Sequence, residues 1–144
     1  MVEAAHRLPS LPDQHKCSRL HGHTFVIEVH LQGDNDNNNG WVMDFADISK
    51  IFRPIFERID HRYLNEIPGL ENPTSENLCI WIWNKLEKDL QLLYKIVVSE
   101  DHGTGIVYNG TSDSTYNKLL NQLKDNNIQI NKLSKYLDVL ENNE

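Results

Sequence analysis

The sequence predicts an α+β fold in which a four-stranded antiparallel sheet carries two helices on one face. Three observations point there. The stretch from His21 to Leu31 alternates with a period of two residues. Two stretches in the middle of the chain place apolar residues at helical spacing. Two short β-branched runs then follow, joined by a Gly-containing turn. The order is strand, strand, helix, helix, strand, strand, and laying both helices on one sheet face buries their apolar stripes together.

Each element has its own signal. Val2, Ala4 and His6 share a face of a short opening strand. In the second strand His21, His23, Phe25, Ile27, Val29 and Leu31 share one face, while Thr24, Glu28 and His30 lie on the other, with Val26 an exception. The run Gly33 to Asn39 and Gly40 is a loop of turn formers. Asp44 is a good N-cap for a helix that aligns Phe45, Ile48, Phe52, Ile55, Phe56 and Ile59. Pro54 falls inside that pattern and is expected to kink or break it, at a cost near 3 kcal/mol if uncompensated. Pro73 starts a second helix, capped by Thr74 or Ser75, with Leu78, Trp81, Ile82 and Leu86 as its stripe. Lys95–Glu100 and Ile106–Tyr108 read as the last two strands.

A chain of 144 residues is about one domain long. With 39% hydrophobic and 24% charged residues it is an ordinary globular mix. The expected division is a main domain over 1–110, which the resemblance given below makes the catalytic one, and an extension over 111–144. That extension is rich in Asn, Lys and Leu, and is expected to be helical or partly disordered without a catalytic role. A net charge of −7, from 14 basic and 21 acidic residues, argues against a nucleic-acid partner. No apolar run approaches the ~18 residues of a membrane span, and the opening residues lack a secretory pattern. Two cysteines, Cys17 and Cys79, cannot form a disulfide framework and fit a reducing cytoplasm. Seven histidines, unevenly placed, are the informative excess.

His21-Gly22-His23 is the sharpest local motif. Two imidazoles two apart on a strand project from one face and can bite one ion, although they can also be ordinary polar residues at a strand entry. Zn²⁺ takes such ligands at about 2.0–2.1 Å, and three protein ligands leave a fourth position open. His6 on a neighbouring strand is the choice for the third. Because Phe25 and Ile27 continue the same face, the rings need a ligand or hydrogen bonds to offset about 1–3 kcal/mol each of burial.

Cys17, flanked by Lys16 and followed by Arg19, sits among cations that favour its thiolate, and is either a general base or a loop cysteine without a role. Cys79 falls in the second helix as a packing residue. Asp60-His61 is a carboxylate–imidazole dipeptide that can act as a proton relay or merely end a helix. Glu100 continues the face of Ile96 and Val98, and either turns to solvent or grips a planar ligand with adjacent N–H donors. His15, His30 and His102 lack a partner pattern and read as surface residues.

Several segments together carry a resemblance. They are Glu3-Ala-Ala-His-Arg-Leu-Pro9, Lys16-Cys-Ser-Arg-Leu-His-Gly-His23, Gly40-Trp-Val-Met-Asp-Phe45, Asp60-His-Arg-Tyr-Leu-Asn65 and Pro68-Gly-Leu-Glu-Asn-Pro-Thr-Ser-Glu76. This set resembles the 6-pyruvoyl-tetrahydropterin synthase superfamily from residue 2 to about 110. The short Cys-x-x-x-His-Gly-His spacing is similar to its 6-carboxy-tetrahydropterin synthase branch, which serves queuosine precursor synthesis.

The resemblance implies a tunnelling fold, whose sheets join between subunits into a barrel with active sites at the interfaces. It also implies a homo-oligomer, commonly a hexamer, with one Zn²⁺ per subunit. By position, His6, His21 and His23 match the metal ligands, and Cys17, Asp60 and His61 the catalytic groups. Glu100 matches the pterin anchor, and Thr74, Ser75 and Glu76 fall in the loop that helps seat the ring. The implied activity is a zinc-dependent carbon–carbon lyase acting on dihydroneopterin triphosphate, releasing acetaldehyde and triphosphate. A pyruvoyl-forming or aldolase-like enzyme on the same scaffold, or a non-catalytic zinc or pterin binder, are the alternatives. The chain departs from the pattern in its short opening strand, in Asp101 where Thr is usual, and in its extension.

Overall fold

The structure, a computed structural model, describes residues 1–36, 38–101 and 104–110. In chain order the elements are β1 (Val2–His6), β2 (His21–Leu31), α1 (Phe45–Ile59), β3 (Arg62–Tyr63), α2 (Ser75–Leu86), β4 (Leu93–Asp101) and β5 (Thr104–Tyr108). Short 3₁₀ turns at Lys16–Ser18 and Leu64–Glu66 lie between them. The extension expected at 111–144 lies outside the described residues, as do His102 and the side chain of Asp101.

The strands form one sheet in the order β3-β1-β2-β4-β5. Five strands replace the four expected, and the added pair is not antiparallel: Ala4 and Ala5 of β1 run parallel to Arg62 and Tyr63 of β3. Two residues are too few to show a periodicity, which is why β3 is silent in the sequence. The other pairings are antiparallel. His6 lies opposite His21, Ala4 opposite His23 and Val2 opposite Phe25.

Alternation therefore carries through to burial. Val2, Ala4, His6 and Phe25 point into the core with Ile96 and Val98 of β4, while Glu3 and Thr24 face outward. On that outward face Thr24 Oγ1 donates to the Glu3 carboxylate at 2.9 Å. His30, expected to stand alone there, instead pairs with Glu28 at 2.7 Å, its neighbour two positions back on the same face.

Helix α2 supplies the opposing layer, burying Leu78, Cys79, Ile82 and Leu86 against β4 and β5. Burial pushes the Cys79 thiol up to about 11, in keeping with a packing role. Thr74 rather than Ser75 is the cap: its Oγ1 accepts the Asn77 N–H at 3.2 Å. Asp44 caps α1 as expected, Oδ1 accepting the Ala46 N–H at 2.7 Å. Helix α1 runs unbroken through Pro54, which corrects the expected break. Pro54 is exposed while its neighbour Ile55 is buried, so the carbonyl deprived of a partner can turn to water and the buried stripe carries the helix onward.

Candidate metal centre and substrate cleft

His6 is the buried end of β1, with 1% of its surface accessible. Because it is register-paired with His21, and His23 follows two residues on, three imidazoles meet on the core face of two strands. Gly22 between the last two sits at a close approach: a Cβ there would stand 3.2 Å from the Ala4 carbonyl oxygen, so the backbone of β1 would have to give by a few tenths of an ångström. The rings lie with centroids 4.5 Å (His6–His21), 5.1 Å (His6–His23) and 5.0 Å (His21–His23) apart. One nitrogen from each falls within 4.8 Å of the others.

Two backbone carbonyls fix the tautomers. His6 Nδ1 lies 2.8 Å from Pro73 O and His21 Nδ1 lies 2.8 Å from Arg19 O. A carbonyl can only accept, so each Nδ1 carries the hydrogen and each neutral ring keeps its lone pair on Nε2. Burial, the largest influence, lowers the pKa of His6 below its ordinary value, and the neighbouring histidines add to this. The ring is thus held neutral, which is the form a metal requires.

His6 Nε2 is buried without a hydrogen-bond partner, the single such side-chain atom among the described residues. An orphaned acceptor costs about 1–3 kcal/mol. A cation held by His6, His21 and His23 removes that cost, and an all-nitrogen set with two of its rings oriented by backbone carbonyls suits Zn²⁺. The three residues read from the sequence as ligands are therefore brought together, and they could hold a metal ion.

Glu100 stands beside them. Its Oε2 lies 3.7 Å from His23 Nε2, and its Oε1 accepts the Ser75 hydroxyl hydrogen at 2.6 Å. A bulge explains its orientation: Ser99 pairs with Gly105 and Asp101 with Thr104, leaving Glu100 as the extra residue on β4. Glu100, Thr74, Ser75 and Glu76 share the lining of one cleft of about 330 Å³, with Leu8 and Ile106 supplying apolar walls. A carboxylate held by the first residue of α2 through one oxygen, with the other turned toward His23, suits a planar ligand bearing N–H donors.

Cys17 lies in the 3₁₀ turn, whose carbonyl oxygen accepts the Leu8 N–H at 2.8 Å. That bond ties the thiol's segment to the chain two residues beyond His6, beside the cleft that Leu8 lines. His15, expected to be a surface residue without a partner, caps this turn: its Nδ1 accepts the Cys17 N–H at 3.1 Å. Its place two residues before the cysteine is the signal that could have shown it.

Asp60 and His61 stand elsewhere. Asp60 Oδ1 accepts the Glu3 N–H at 3.0 Å, and the His61 N–H reaches Glu3 O at 2.6 Å. Glu3 is three residues from His6, about 10 Å along a strand. The dyad itself is formed, with His61 Nδ1 donating to Asp60 Oδ2 at 2.8 Å, and that bond holds the Asp60 carboxyl below its usual range, aided by the Glu3 N–H. His61 has φ 55°, a left-handed turn out of α1 that lets its N–H reach β1. His61 lines a second depression with Glu3, Ala5, Gly22 and His23, and the Glu100 cleft is lined by neither member of the dyad.

A sheet carrying two helices, with a histidine trio beside a cleft lined by Glu100, is the arrangement to set against known proteins. Residues 2–111 match the family model described as 6-pyruvoyl tetrahydropterin synthase, so the chain belongs to that family. It is 43% identical over 91 residues to 6-carboxy-5,6,7,8-tetrahydropterin synthase of Synechocystis, covering 60% of this chain and 69% of that one. It is 42% identical over 71 residues to the dihydroneopterin monophosphate aldolase of Pyrococcus furiosus, covering 49% and 59% respectively. The solved 6-pyruvoyl tetrahydropterin synthase of Caenorhabditis elegans superposes with a TM-score of 0.71 at 31% identity, over 76% of this chain and 90% of that one. Among the described residues, no helix is long and apolar enough to cross a membrane.

Proposed function

We propose that the chain is a zinc-dependent carbon–carbon lyase, converting dihydroneopterin triphosphate to 6-carboxy-tetrahydropterin with release of acetaldehyde and triphosphate. The reading places it in queuosine precursor synthesis in the cytoplasm. The observation that carries it is the partnerless Nε2 of buried His6, facing His21 and His23 beside the Glu100 cleft.

His6, His21 and His23 would hold one Zn²⁺ per subunit. Such an ion supplies Lewis-acid polarisation of substrate hydroxyls and eases removal of neighbouring protons. Glu100 accepts N–H donors from the pterin edge, with Ser75 fixing one of its oxygens, while Thr74 and Glu76 border the ring. Cys17, as thiolate, takes a proton from the side chain of the substrate. Asp60 holds Nδ1 of His61 so that Nε2 of that ring exchanges protons with the substrate. Because neither Asp60 nor His61 lines the Glu100 cleft of its own chain, the reading takes a homo-oligomer, with a hexamer expected, in which a neighbouring copy completes the site.

The Pyrococcus relative favours a second reading, an aldolase-like cleavage on the same residues. Incubation with dihydroneopterin triphosphate, read by mass spectrometry, separates them. Carboxypterin with acetaldehyde supports the first reading and a phosphorylated hydroxyaldehyde the second. A pyruvoyl product retaining every side-chain carbon overturns both.

A further inference from the structure

We propose that Asn65 is a positioning residue for the metal-facing ring of His6. The inference rests on the reading of His6, His21 and His23 as a metal site, and deepens it.

Asn65 makes three hydrogen bonds, all to main chain. Its Oδ1 accepts the Arg7 N–H at 2.9 Å, and its Nδ2 donates to Arg7 O at 2.8 Å and to Glu71 O at 3.1 Å. Both polar groups of the Arg7 backbone are thereby satisfied by one side chain. This matters because β1 ends at His6, where pairing with β2 also ends. The amide takes the place of a strand partner for the next residue, and so fixes the direction in which the chain leaves His6.

The third bond fixes the other constraint on the same ring. Glu71 lies two residues before Pro73, whose carbonyl accepts the Nδ1–H of His6 at 2.8 Å. One side chain thus ties the main chain that follows His6 to the segment bearing the carbonyl that orients its imidazole. Asn65 can serve as a fixed point because it sits in the Leu64–Glu66 turn, anchored by fully buried Leu64. The chemistry demands an amide. A carboxylate would offer acceptors to two carbonyl oxygens, and a glutamine would displace the head group by a methylene.

The geometry predicts that Asn65 sets the aim of Nε2, in the manner of groups that orient metal-bound histidines from behind. The test uses the full chain stripped of metal, as wild type, Asn65→Ala and Asn65→Asp. Zinc affinity is measured by competition with a chromogenic chelator, the Co²⁺ visible spectrum is recorded, and unfolding of each metal-free protein is followed by heating. Both variants are expected to bind zinc about 10–100-fold more weakly, with a Co²⁺ spectrum displaced in position and intensity. Asn65→Asp keeps the side chain's shape and the acceptor for Arg7 N–H, and carries the test if the alanine variant does not fold. Wild-type zinc affinity and Co²⁺ spectrum in a folded variant, even with a lowered unfolding midpoint, would overturn the proposal and leave Asn65 a loop clasp. If the wild type binds neither metal, the reading of the histidines fails first and takes this inference with it.

Discussion

Ser75 and Glu100, brought together from α2 and β4, share a 2.6 Å hydrogen bond in which the hydroxyl donates to Oε1. The bond holds a half-buried carboxylate in one rotamer and leaves Oε2 toward His23 and the cleft. Preorganisation of this kind acts on binding more than on chemistry. Ser75→Ala is accordingly expected to raise KM for the pterin about tenfold, equivalent to about 1.4 kcal/mol, with little change in kcat. Steady-state kinetics check it; an unchanged KM with a lowered kcat would move Glu100 out of ground-state binding.

The proposed role of Cys17 is that of a base rather than a ligand, since the clustered metal-binding groups are His6, His21 and His23. Cys17→Ala should keep its metal while turnover falls by ~10²–10⁴, the range for an acid–base group. Metal content by atomic emission and the rate per folded subunit are the measurements. An unchanged rate removes the thiol from the mechanism.

Much of this was legible in the sequence, for identifiable reasons. Period-two alternation put His21 and His23 on one face, and the same rule aligned His6 with Val2 and Ala4, so the trio needed only register to meet. The place of Glu100 after Ile96 and Val98 left it open between solvent and a ligand, and the bulge that turns it toward Ser75 leaves no local signature. The invisible contributors act through backbone or through partners far away in sequence. Pro73 works through its carbonyl, which every residue has, and Asn65 meets Arg7 across 58 positions. The separation of Asp60-His61 from the cleft depends on β3, a strand too short to read.

The acid limb of stability should involve Asp60. Hydrogen bonds from His61 and the Glu3 N–H favour its ionised form, so folding lowers its pKa below 3.8. A depressed carboxyl contributes stability above its unfolded value, and that contribution is lost as pH falls through the folded value. Asp60→Asn should therefore flatten the decline in unfolding free energy between about pH 5 and pH 2. Urea titrations across that range check it, and an unchanged slope would mean the contacts to Glu3 and His61 carry no net preference for charge.

Gly22 should not accept a side chain. A Cβ would press on the Ala4 carbonyl at 3.2 Å, and backbone cannot move aside as a side chain would. Gly22→Ala is expected to cost about 1–3 kcal/mol in stability and to weaken zinc binding, because β1 carries His6. Denaturant unfolding and chelator competition measure both, and wild-type values would show that the two strands tolerate the added methyl.

The most direct test of the central claim is zinc K-edge absorption spectroscopy on the wild-type protein and on His21→Ala. The wild type is expected to hold one zinc per subunit, with nitrogen neighbours at about 2.0–2.1 Å and no sulfur shell near ~2.3 Å, and the variant to lose the metal. Sulfur in the shell would make Cys17 a ligand instead of a base, and zinc retained at full occupancy by His21→Ala would contradict the three-histidine site.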